Sequence, residues 1–118
     1  MDEIDIKKYP LKEKIRIDDG KSLVLYSSYP TFEVEYKEIS GKEIFLLDNN
    51  KNIIWQISPE LGRTDGKTWK FDKNLPSYSY FLEITIEDGF YMATRFNGDV
   101  FKIDMETGNA TFAYWKKT

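Results

Sequence analysis

Histidine and cysteine are both absent from the 118 residues. Without imidazole the chain has neither the usual proton shuttle of neutral pH nor the commonest metal ligand, which excludes Ser-His-Asp, Cys-His and His-metal chemistry together. Without thiols there is no disulfide framework, no thiolate nucleophile and no cysteine-bound zinc or iron–sulfur cluster, and the chain suits a reducing compartment. A non-enzymatic protein with no cofactor and no metal is expected. No apolar run approaches the length of a membrane span, and residues 1–8 (MDEIDIKK) lack the apolar stretch of a signal peptide, so the expectation is a cytoplasmic protein with no membrane partner. Positive charge is in deficit as well: the net charge is −3 and the sequence pI about 5.0. Nucleic acid demands a basic stripe and is not expected as a direct partner, whereas a basic protein surface complements an acidic chain.

What is present is alternation at the period of a β-strand. Residues 14–18 (KIRID) alternate into an Asp18-Asp19-Gly20 turn, and residues 22–27 (SLVLYS) return. Pro30 breaks the run. In residues 32–39 (FEVEYKEI), Phe32, Val34 and Tyr36 share one face and Glu33, Glu35 and Lys37 the other, as in a half-exposed antiparallel strand. Residues 44–47 (IFLL) are apolar on both faces, as a central strand requires, and residues 49–52 (NNKN) turn the chain into residues 53–57 (IIWQI). Residues 59–67 read as a long loop, and Pro76 with Ser77 marks a second break. From Tyr80 onward four apolar runs are joined by short turns at residues 87–89, 97–98 and 106–108, which predicts an up-and-down meander. The expectation is one all-β domain over residues 1–118, an antiparallel meander.

Residues 41–48 (GKEIFLLD), followed by a polar turn and Ile53-Ile54-Trp55, parallel residues 98–104 (GDVFKID), followed by a polar turn and Ala110-Thr111-Phe112. The second copy resembles the blade repeat of β-propellers of the quinoprotein-like and WD40-like kinds: Asn97-Gly98, Val100-Phe101, Ile103-Asp104 and Thr107-Gly108 match its dG-x-(V/I)-(Y/F)-x-(I/L)-D-x-x-T-G segment. In the first copy the Thr-Gly is replaced by Asn-Lys, and any hairpin with an Asp-initiated turn would carry similar letters. A blade takes about 40–45 residues and about four close a ring. The resemblance therefore implies a half-propeller-like arrangement or two packed sheets, with unclosed edges that must be shortened, charged or covered.

Candidate chemistry is sparse. Glu33 and Glu35 would bring two carboxylates together on one strand face, as an acid–base pair needs, and a solvated polar face explains them equally well. Residues 48–52 (DNNKN) space oxygens like half a calcium loop but lack its central glycine, with Pro59 where the bidentate glutamate should stand, so a hairpin turn is the expectation. The sequon Asn109-Ala110-Thr111 has no secretory context. Aromatics make up 16% of the chain, which is more than a core strand pattern alone accounts for around Trp69, Tyr78 and Tyr80. Trp55, Phe45, Phe101 and Phe112 read as core. In type, the small acidic cysteine-free chain resembles bacterial immunity proteins, including those of contact-dependent growth inhibition. That resemblance implies a one-to-one complex with a basic toxin domain, in many such systems a nuclease, whose active site is covered without chemistry. Glu33, Glu35, Asp65, Glu83 and Glu87 are the expected electrostatic contributors, with Trp69, Tyr78 and Tyr80 as anchors. The alternative is a blade-derived binding module or scaffold recognising a peptide or carbohydrate.

Overall fold

The computed structural model describes residues 6, 9–27, 39, 41–60, 80–96 and 98–116. Their regular structure is all-β, apart from single helical turns such as that at Asp18–Gly20. β1 (Leu11–Arg16), β2 (Ser22–Tyr26), β3 (Ile44–Leu47) and β4 (Ile53–Gln56) form an antiparallel sheet in chain order. β5 (Ser58–Pro59), β6 (Phe81–Glu87), β7 (Phe90–Arg95), β8 (Asp99–Ile103) and β9 (Asn109–Trp115) form a second sheet in the order β5-β9-β8-β7-β6. The expected turns at residues 18–20, 49–52, 87–89 and 106–108 join β1 to β2, β3 to β4, β6 to β7 and β8 to β9, whereas the strand expected over residues 32–39 lies, Ile39 apart, outside the described residues. Asp88 and Gly89 take positive φ, 52° and 84°, as a two-residue hairpin matched to strand twist requires. Asp48 accepts the N–H groups of Asn50 and Asn52, both at 2.8 Å, and these bonds hold its carboxyl below the usual range. Its oxygens thus serve the turn itself. Asp104 does the same after β8, accepting the Glu106 N–H at 2.9 Å.

Alternation along these strands sorts side chains into two clusters. Leu23, Leu25, Ile44, Leu46, Trp55 and Ile57 of the first sheet meet Phe81, Ile84, Ala93, Phe101, Ile103 and Ala110 of the second. On the far side of the first sheet, Val24, Tyr26, Phe45 and Leu47 are covered by Ile6, Tyr9 and Ile39. The central strands β2 and β3 are therefore buried on both faces, which is why β3 is apolar throughout. At one end the sheets are joined by Trp55, whose indole N–H donates to the Met105 carbonyl at 3.0 Å. The ring lies on Gly108, where a Cβ would come within 2.6 Å of it, so only glycine fits beneath.

The two meanders share one register. β1 and β2 pair as Leu11↔Tyr26, then, after one extra residue, Glu13↔Leu25, Lys14↔Val24, Ile15↔Leu23 and Arg16↔Ser22. β6 and β7 pair as Phe81↔Arg95, then, after one extra residue, Glu83↔Thr94, Ile84↔Ala93, Thr85↔Met92 and Ile86↔Tyr91. Phe45 opposes Val24 as Phe101 opposes Ala93. Corresponding residues nonetheless face different surroundings: Phe45 and Leu47 lie on the far side of the first sheet, and their counterparts Phe101 and Ile103 lie between the sheets. Leu46 faces inward and its counterpart Lys102 faces solvent. The sheets are stacked the same way round, back of one against front of the next.

This stacking brings carboxylates of the first sheet to the edge of the second. β6 is an edge strand, and its outward N–H groups need acceptors. Glu13 accepts the Ile84 N–H at 3.0 Å, and Glu43, wholly buried, accepts the N–H groups of Phe81 at 3.1 Å and Gly41 at 3.0 Å. Arg95, also buried, donates to the Gly41 carbonyl at 3.0 Å with its guanidinium 4.8 and 4.9 Å from the Phe81 and Phe101 ring centroids.

One local expectation meets a different outcome. Of the loop expected over residues 59–67 only Pro59 and Glu60 are described, and they are paired: Ser58 and Pro59 lie parallel to Asn109 and Ala110, and the Glu60 N–H extends the ladder to the Ala110 carbonyl at 2.9 Å. An outermost strand tolerates a residue without an N–H. Phe81, adjoining the loop aromatics in sequence, is core, because the extra residue Leu82 in β6 turns it inward. Glu43→Ala should lower the free energy of urea unfolding by about 3 kcal/mol, since two buried donors lose their acceptor beside a buried guanidinium. Glu13→Ala, at a half-buried site with one such bond, should cost about 1 kcal/mol.

Candidate interaction surface

The outer face of the second sheet carries the residues that alternate with its core positions: Glu83, Thr85 and Glu87 on β6, Phe90, Met92 and Thr94 on β7, Val100 and Lys102 on β8, Thr111 and Tyr114 on β9. Of the residues expected to bind a partner, Glu83 and Glu87 share this face, two pleat repeats apart on the same edge strand with Thr85 between them. Tyr80 lies just before β6 and stacks on Phe96, with centroids 5.4 Å apart and planes at 20°. Glu33, Glu35, Asp65, Trp69 and Tyr78 lie outside the described residues.

Both carboxylates are held by the last strand and its continuation. Lys116 Nζ pairs with Glu83 at 3.3 Å, both side chains being some two-fifths exposed (41% and 43%). The Tyr114 hydroxyl sits 2.7 and 2.8 Å from the two Glu87 oxygens. Tyr114 lies in the cross-strand row of Val100, Thr94 and Glu83, not in that of Glu87, so the bond runs diagonally over the sheet. Such a diagonal closes only when twist brings opposite corners of a sheet toward each other. Hydrogen bonding to Glu87, then desolvation and the nearby negative charge, raise the Tyr114 phenol above its ordinary pKa. Lys102 adds a third fixed contact, its Nζ 3.4 Å from the centroid of the exposed Phe90 ring.

The face therefore combines two carboxylates, two ammonium groups and exposed aromatic rings, each charge already in contact with a neighbour. Its potential is weaker than two unpaired glutamates would give, and its side chains are more fixed. A polar defect lies among them: Thr94, the counterpart of Leu25, is only 1% exposed, and its Oγ1 has no hydrogen-bond partner among the described residues. Tyr114, Lys102, Phe90 and Lys116 were not among the residues expected from sequence. For Tyr114 the reason is a bulge: Phe101 pairs with Phe112 and Val100 with Tyr114, so the extra residue Ala113 reverses the alternation and sends Tyr114 outward.

Among the described residues no group of three or more Asp or Glu is placed to hold a metal, and no helix is long and apolar enough to cross a membrane. Comparison of the chain with protein-family models, with curated proteins and with solved structures finds no match in any of the three.

Spectrophotometric titration should show the Tyr114 phenol ionising above the ordinary tyrosine range, and Glu87→Gln should bring it back. The folded state holds this proton more tightly than the unfolded chain does. The bond's contribution to stability is thus whole below the ordinary tyrosine pKa and is lost as pH rises through the raised one. Thr94→Val, which keeps the shape and removes the unsatisfied hydroxyl, should raise the unfolding free energy by about 1 kcal/mol in the same urea assay.

Proposed function

We propose that the protein is an immunity protein of the cytoplasm, which binds a basic antibacterial toxin domain one to one and neutralises it by covering its active site. The observation that carries this reading is the pair Glu83 and Glu87, fixed along one edge of this sheet face by Lys116 and Tyr114, with the exposed Phe90 opposite Glu87. Side chains already ordered lose little freedom on binding. Carboxylates next to rigid aromatics suit a basic cleft shaped for nucleic acid, where occlusion alone stops turnover. A sequence without imidazole or thiol is consistent with a role that needs no chemistry. Glu33, Glu35, Asp65, Trp69, Tyr78 and Tyr80 complete the proposed contact set.

A second reading is favoured by the shared register of the two meanders and by the flat Tyr80–Phe96 stack: a module derived from a propeller blade that recognises a peptide or carbohydrate. Co-expression with the toxin domain encoded beside its gene separates the two. Growth rescue and a stable one-to-one complex are expected under the first reading, and neither under the second. Within that complex, Glu83→Lys with Glu87→Lys should slow association about tenfold at low salt and flatten its salt dependence. Unchanged association rates would remove this face from the contact.

A further inference from the structure

The two meanders have the same register but not the same neighbours, and the difference leaves a site on the first with no partner among the described residues. In the second sheet the outward N–H groups of β6 are capped by carboxylates: Ile84 by Glu13 and Phe81 by Glu43. The corresponding residues of β1 are Lys14 and Leu11. Their N–H groups point outward too. The Tyr26 N–H runs to Glu43 on the β3 side and the Ile17 N–H closes on the Lys21 carbonyl, so the bonded rows between β1 and β2 pass through Ile15–Leu23 and Glu13–Leu25. Lys14 and Arg16 are left facing the open edge. No sheet precedes the first among the described residues, and no carboxylate there takes the place that Glu13 and Glu43 take against β6.

The side chains along this edge point to the same ligand chemistry. Lys12, Lys14 and Arg16 are all exposed, and none has an ion-pair partner among the described residues. The acidic residue between them, Glu13, is turned inward to β6. Cations on an edge strand also discourage pairing with a second copy, because β1 laid against β1 would oppose like charges. A segment bearing carboxylates meets no such penalty.

We infer that the β1 edge, Leu11–Arg16, is a docking site for an acidic protein segment, whose carboxylates cap the Leu11 and Lys14 N–H groups as Glu43 and Glu13 cap those of Phe81 and Ile84. Lys12, Lys14 and Arg16 supply the neutralising charge. The site lies on the other sheet from the Glu83–Glu87 face and does not depend on the toxin reading.

The probe is a short synthetic peptide of alternating glutamate and threonine, added to the isotope-labelled full chain at low salt. Its controls are the same peptide with glutamine for glutamate and a short DNA duplex. The acidic peptide should shift the Leu11 and Lys14 amide protons downfield and slow their exchange, and the glutamine peptide should do neither. Lys14→Glu with Arg16→Glu should weaken binding about tenfold, while Lys102→Glu on the second sheet should change it less than about twofold. Four results would overturn the inference: no binding; binding without the Leu11 and Lys14 shifts; equal weakening by Lys102→Glu; or equal binding of the duplex with the same footprint. The same amide shifts on concentrating the chain alone would assign the edge to a second copy and overturn it as well.

Discussion

An edge strand leaves a row of N–H groups that water or an acceptor must satisfy, and the way β6 meets that demand organises the molecule. Two glutamates from the first sheet reach across to it, Glu13 to Ile84 and Glu43 to Phe81. A carboxylate accepting a backbone N–H inside a protein gains more than a neutral acceptor would, and removing it exposes the full desolvation penalty of the donor. These bonds fix how the sheets lie together. Phe81, pinned by its own N–H, forms with Phe101 the aromatic pair over which Arg95 is held, and Arg95 returns the connection by donating to Gly41. Hydrophobic burial supplies the adhesion between the sheets, and the carboxylates supply its direction.

Direction matters because the meanders are stacked back to front. Head-to-tail packing of equivalent units does not end by itself; it closes into a ring or continues. Here both ends are stopped by different means. The back of the first sheet keeps its apolar residues and is covered by Ile6, Tyr9 and Ile39. The front of the second sheet has changed composition in part: where the first presents Ile15, Leu25, Leu46 and Trp55 to its neighbour, the second has Thr85, Thr94, Lys102 and Thr111, while Met92 and Val100, in the places of Leu23 and Ile44, stay apolar and buried. Thr94 bears the cost of that change, a buried hydroxyl in a leucine's place.

The arrangement leaves two surfaces of different character. The front of the second sheet holds carboxylates and aromatic rings in fixed contacts, which reduces the ordering a partner must impose. The outer edge of the first sheet holds cations and outward N–H groups that have no partner among the described residues. A chain with a small net negative charge thus has a polarised surface, and net charge alone would direct attention only to its acidic part.

The all-β class, the turns and much of the core were legible in sequence because each is a local property. Alternation marks a strand, Asp88-Gly89 marks a tight hairpin, and an Asp at a strand end marks a turn that it closes with its own carboxylate. Phe45, Trp55 and Phe101 are buried, and Phe112 packs against the core, as the pattern implied. The carboxylates that join the sheets were not legible, since Glu13 and Glu43 find their donors far along the chain and nothing in their own surroundings marks them. Nor was the outer face complete, because the extra residues Leu82 and Ala113 each invert a two-residue period and so decide whether Phe81 and Tyr114 point in or out. Local backbone preference and hydrophobic period belong to the sequence by itself. Which face meets which, and which N–H waits for an acceptor, is settled only when two sheets compete for the same contacts in three dimensions.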